Sequence, residues 1–140
     1  MGDWKEVVAE WAGGSAFWGR NPAGAEVQIG TLDGKPGVGP MEMLLLGVAG
    51  CTGMDIVSIL EKKRYQLEKF EVRVRGLRGD VHPKIYTDIE VAYHLWGKDL
   101  QPRDVEQAIQ LSEEKYCSAS AMLRSAARIR SSYELHPVET

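Results

Sequence analysis

The chain has 140 residues, enough for a core of its own, and reads as a single domain over residues 1–140. A hydrophobic fraction of 44% and a charged fraction of 26% belong to a globular protein and exclude a disordered one. The net charge of -3, with both signs mixed along the chain, argues against nucleic acid and against anionic membranes as partners.

The N-terminus, "MGDWKEVVAEW", has no basic region followed by an apolar run, so no signal peptide is expected. Gly2 carries little weight as a lipidation site, because Trp4 onward runs into a predicted strand. That first strand covers residues 4–11, with Val7, Ala9 and Trp11 on one face. Gly13 and Gly14 turn the chain. Ser15 to Gly19 predicts a second strand ending at "GRNPAG", and Glu26 to Thr31 a third, giving a small antiparallel meander.

After the loop "DGKPGVG", Gly39 and Pro40 open a long helix reaching Arg64. Glu42 in its first turn, and Lys62, Lys63 and Arg64 in its last, match the helix dipole. Apolar residues occupy nearly every face, so burial on all sides is expected, under a second helix, a wrapping sheet or a partner subunit. Residues 43–60 approach membrane-spanning length, but Asp55, three glycines and the closing "EKKR" favour a buried helix over a membrane span. Gly47, Gly50 and Gly53 predict close approach by another backbone. Gly47, Cys51, Asp55 and Ser58 form the most polar stripe of this helix.

Two alternating strands follow, over residues 70–75 and 85–95. Pro102 and Asp104 start a second helix whose inward face is Val105, Ala108, Ile109 and Ser112 or Tyr116. Cys117 comes next, then a short helix capped by Ser118 or Ser120. A last strand has Ile129, Ser131, Tyr133 and Leu135 alternating, before a polar tail broken by Pro137. The predicted order β-β-β-α-β-β-α-α-β is an α+β domain with its helices against one sheet face.

The chain holds two cysteines, Cys51 and Cys117. Without a secretion signal they point to a reducing, cytoplasmic setting, where a disulfide is transient or catalytic rather than structural. On its residues alone, Cys51 reads either as an inert core thiol or as a reactive one. A reactive thiolate needs a cation, which the middle of a helix does not provide. Arg20, in the turn between Trp18 and Pro22, is the leading candidate, with Arg64, Arg78 and Arg128 behind it. If Cys117 approaches Cys51, it can condense with a Cys51 sulfenic acid to form a disulfide that an external dithiol reduces. No pair among His82, His94 and His136 has metal-ligand spacing in the sequence, so no metal is expected. No phosphate-loop or dinucleotide pattern is present, so no cofactor is expected either.

"PMEMLLLGVAGCTGMDIVSILEKKR", "GDVHPKIYTDIEVAYHLWG" and "VEQAIQLSEEKYCSASAML" together resemble the OsmC/Ohr family, over a span from about Trp4 to Tyr133. The resemblance implies an intertwined homodimer, its antiparallel sheets wrapped around two long central helices and its active sites at the subunit interface. It also implies reduction of organic hydroperoxides, and of hydrogen peroxide to varying extents, by two cysteines matching Cys51 and Cys117. A dithiol reductant, a lipoylated protein among the candidates, recycles the disulfide. A family arginine that supports the thiolate matches Arg20. The family glutamate stands first after a proline, where this chain has Met41, with Glu42 next; Glu42 is the substitute candidate. Two rival readings are a non-enzymatic module that binds a small hydrophobic ligand or senses redox state, and a structural dimer with inert thiols.

Overall fold

The computed structural model describes residues 2–138; Met1 and the end of the polar tail, residues 139 and 140, lie outside the described residues. The chain divides into two compact units, the first ending at Leu44 and the second beginning at Leu45.

The first unit is built on the predicted meander. Strands β1 (Val8–Gly13), β2 (Ala16–Arg20) and β3 (Glu26–Ile29) form one antiparallel sheet in the order β1-β2-β3. Gly13 and Gly14 make the first turn at φ 116° and 55°, a region that glycine enters without penalty. Strand β1 begins at Val8, four residues later than its alternation suggests. Val8 pairs with Arg20, the last residue of β2, so the residues before it have no strand opposite. Trp4 and Val7 are accordingly exposed.

Helix α1 (Pro40–Lys62) begins in the last residues of the first unit and continues into the second. It stops two residues short of Arg64, which turns to φ 67° and leaves the helix. The Tyr65 N–H then donates to the Leu60 carbonyl and closes the end.

The second unit holds most of α1 with strands β4 (Leu67–Arg78), β5 (Tyr86–Gly97) and β6 (Arg128–His136). Between β5 and β6 run α2 (Pro102–Leu111), a five-residue π-helical turn over Ser112–Tyr116, and α3 (Ser118–Leu123). Strands β4 and β5 form an antiparallel hairpin, whereas β6 lies parallel to β5. The expectation of antiparallel sheets is therefore corrected at this one pair. The connection through α2 and α3 is a crossover, which returns the chain to the same end of the sheet before β6 starts.

Strand β5 explains the core. Ile89, Val91, Tyr93 and Leu95 alternate along one face and are 0–1% exposed. The helices cover this face, as expected for an α+β domain. Val48, Thr52, Ile56 and Leu60 of α1 and Val105 and Ala108 of α2 are fully buried. Gly53 approaches Val72 of β4 so closely that an added Cβ would lie 3.4 Å from its methyl group.

Burial of α1 on all sides is not met within this chain. Its buried line runs Val48, Thr52, Ile56, Leu60, while Leu46 is 58% and Met54 76% exposed. An added Cβ at Gly47 or Gly50 meets nothing within 4 Å and one at Gly53 meets only side chains, so the backbone approach predicted for the three glycines is not found within this chain. The physical reason is geometric: one sheet face covers one stripe of a helix, and this helix is apolar around its circumference.

Candidate active site

Cys51 lies half-buried in α1, beside the buried line of that helix. Cys117 lies between the π-helical turn and α3 and is 3% exposed. Both belong to the second unit, and the fold brings them together. Burial raises the Cys117 thiol above its ordinary value; a hydrogen bond from Ser120 opposes this, and hydrogen bonding and charge from Cys51 add to the rise. Both thiols are free, and Cys51 is among the neighbours that raise the Cys117 thiol.

Local backbone geometry puts Cys117 there. Ser112 follows α2 and opens the π-helical turn, and its carbonyl accepts the Cys117 N–H at 2.6 Å, closing the wide turn between them. A π-helical turn inserts an extra residue into the helical ladder and recurs at functional sites. The Ser112 side chain, fully buried, donates its hydroxyl to Asp55 Oδ2 at 2.9 Å. Asp55 stands one turn after Cys51 on α1, so this bond fastens the Cys117 segment beside the other cysteine. Asp55 in the polar stripe therefore has a partner, while Gly47 and Ser58 of the same stripe are exposed.

Cys117 itself caps α3, in place of Ser118 or Ser120. Its backbone is extended, and its sulfur accepts the Ser120 N–H at 3.3 Å and the Ser120 hydroxyl at 3.1 Å. Both bonds favour the thiolate over the thiol. Beneath the thiols, Tyr93 is fully buried and donates its hydroxyl to Glu113 Oε1 at 2.8 Å. Burial first, and then the Glu113 charge, raise the Tyr93 pKa far above the ordinary range, with a bond to Thr52 acting the other way. Glu113 also accepts from Ser131 at 3.1 Å, and Arg124 donates to the Glu113 carbonyl at 3.1 Å.

Arg20, the last residue of β2, pairs with Glu10 at 3.3 Å and Glu26 at 3.6 Å in the first unit. The hydrogen bond to Glu10 is the largest cause of its raised pKa. Glu42 is exposed and accepts the Gly39 N–H at 2.7 Å, the back-reaching half of a capping box at the start of α1. Of the other arginines considered for the thiolate, Arg78 donates to the Lys84 carbonyl and Arg128 pairs with Asp88.

The residues around the thiols that the chain's pattern does not reveal are Ser112, Ser120, Tyr93 and Glu113 acting as hydrogen-bond partners. The one available signal is the pair Ser118 and Ser120 just after Cys117, which reads equally as ordinary helix capping. On the opposite face of the sheet, His94, Glu134 and His136 meet, a grouping made by strand pairing and not by spacing along the chain.

Comparison with known proteins places this geometry. The family model described as OsmC-like protein matches residues 32–132. The chain is 36% identical to Protein YhfA of Escherichia coli over 130 residues, 93% of this chain and 97% of that one. A crystal structure of a hypothetical protein from Aquifex aeolicus superposes with a TM-score of 0.88 at 36% identity, covering 98% of this chain and 99% of that one. The organic hydroperoxide resistance protein OhrB of Bacillus subtilis shares the fold at a TM-score of 0.63 and 18% identity, over 94% and 98% of the two chains. With its family model and its relatives covering most of its length, the chain belongs to the OsmC-like protein family.

Proposed function

We propose that this protein is a cytoplasmic thiol-dependent peroxidase that reduces organic hydroperoxides, and hydrogen peroxide with them, through Cys51 and Cys117. The observation that carries the reading is that two free thiols, held by different elements, are near enough for Cys51 to raise the Cys117 thiol. Membership of the family supports it, as does the shared fold of a protein named for organic hydroperoxide resistance.

Exposure divides the roles. Cys51 is the more accessible thiol and Cys117 the buried one, so peroxide meets Cys51 first. The Cys51 thiolate attacks the near peroxide oxygen, the O–O bond breaks, and the alkoxide takes a proton and leaves as alcohol. The Cys117 thiolate, held by Ser120, then attacks the Cys51 sulfenic sulfur; hydroxide leaves, takes a proton and departs as water, and a disulfide remains. A dithiol, such as a lipoylated protein, supplies two electrons and two protons to restore both thiols.

Under this reading the chain works as one domain, as an intertwined homodimer with its sites at the subunit interface. The exposed Leu46 and Met54, and the uncovered Gly47 and Gly50, support a second copy across α1. Arg20 would support the Cys51 thiolate and Glu42 would join it. Each must then loosen its present partners, Glu10 and Glu26 for Arg20 and the Gly39 N–H for Glu42.

The test is turnover of cumene hydroperoxide with a dithiol reductant. The wild-type protein turns over repeatedly, Cys51→Ser is inactive, and Cys117→Ser stops after a single turnover. Wild-type protein that consumes no peroxide under these conditions contradicts the proposal.

A further inference from the structure

The second sheet has an outer face that the thiol chemistry does not use. Side chains alternate along β5, so His94 points away from the face that carries Tyr93 and the helices. His94 lies directly opposite Glu134 of β6, and Trp96 lies opposite His136. Two parallel strands thus set two imidazoles and one carboxylate on a single patch, although the histidines are far apart in the chain.

His94 Nδ1 and His136 Nε2 are 3.0 Å apart, Glu134 Oε2 is 3.6 Å from the first and 3.7 Å from the second. A point equidistant from these three atoms lies about 2.0 Å from each, the length of a zinc–imidazole or zinc–carboxylate bond. The edges of the triangle are also close to the roughly 3.3 Å separation of donors around a tetrahedral zinc ion. The two ring planes are nearly parallel, 19° apart, with one nitrogen donating to the other.

The surroundings hold the ligands in position. Trp96 stacks on His136 with ring centroids 4.3 Å apart, and Lys69 lies over the Trp96 ring. The Lys69 charge is met by Glu71 at 3.1 Å. The histidine side chains are 19% and 30% exposed and Glu134 is 68% exposed, so the patch is anchored on one side and open to water on the other.

We propose that His94 Nδ1, Glu134 Oε2 and His136 Nε2 form a binding site for a divalent transition-metal ion of the zinc type. Two imidazoles and a carboxylate are a donor set for such ions rather than for calcium or magnesium, which prefer oxygen alone. Three protein ligands leave a fourth position for water or an exchangeable group.

The experiment must separate this site from the thiols, which also bind zinc. Calorimetric titration with Zn²⁺ is carried out on the Cys51→Ser/Cys117→Ser protein, with further variants in that background. One equivalent binds; His94→Ala and His136→Ala each weaken binding by about tenfold or more, and Glu134→Gln weakens it also, since losing a direct ligand exceeds the loss of a supporting one. His82→Ala binds as the parent does. Glu134→Gln alters an exposed residue and keeps the test open if a histidine variant fails to fold. Absence of saturable binding by the parent, or unchanged binding in folded variants of the triad, overturns the proposal.

Discussion

Ser120 gives both its backbone N–H and its hydroxyl to the sulfur of Cys117, at 3.3 and 3.1 Å. One residue thereby supplies a polar environment to a thiol whose pKa burial raises.

Replacing Ser120 by alanine removes the hydroxyl and leaves the N–H. The Cys117 pKa, already raised, rises further, because a hydrogen bond that favours the charged form is lost. At neutral pH the thiolate fraction then falls. The pH profile of Cys117 alkylation in a Cys51→Ser background measures this directly. A profile that does not move on Ser120→Ala removes the hydroxyl from the account.

Tyr93 makes a different kind of pH dependence. Its folded-state pKa is raised above the ordinary 10.0, so its contribution to stability is complete below pH 10.0. Above that value the unfolded chain loses the proton while the folded chain keeps it, and stability falls as pH rises. Tyr93→Phe removes this component. Melting temperatures between about pH 9 and 11 should fall less steeply for the variant than for the wild type. Equal slopes would show that Tyr93 ionises in the folded protein as freely as in the unfolded one.

The exposed apolar residues of α1 bear on assembly. Met54 is 76% exposed in the chain, so Met54→Asp disturbs no contact of the second unit's own core. A carboxylate placed there would be desolvated at a subunit interface without a partner, a cost of several kcal/mol. Sedimentation should show a wild-type dimer and a folded Met54→Asp monomer. A variant that stays dimeric to the same dilution as the wild type would place the interface elsewhere.

Much of the fold is legible in the chain because it is local. Alternation in β4 and β5, proline at the openings of α1 and α2, and paired glycines after β1 each act within a few residues. What is not legible depends on who meets whom. The parallel docking of β6 is decided by a crossover, and it alone brings His94 beside His136. The π-helical turn follows from the bond between the Cys117 N–H and the Ser112 carbonyl, which no side-chain pattern encodes. Helix α1 shows the same limit: its apolar residues surround it, so periodicity cannot choose the face that the sheet buries. Cys51 and Cys117 were recognisable as a pair through family resemblance, whereas Ser112 reads as part of a helix face and Ser120 as an ordinary cap until their partners are known.

The central claim concerns two sulfur atoms, and the most direct measurement weighs them. Reduced protein treated with one equivalent of cumene hydroperoxide and analysed intact under non-reducing conditions should lose the mass of two hydrogens. Digestion should then yield one linked peptide containing Cys51 and Cys117. Protein that keeps its mass and both free thiols, or that gains oxygen on Cys51 without ever joining it to Cys117, would contradict the account.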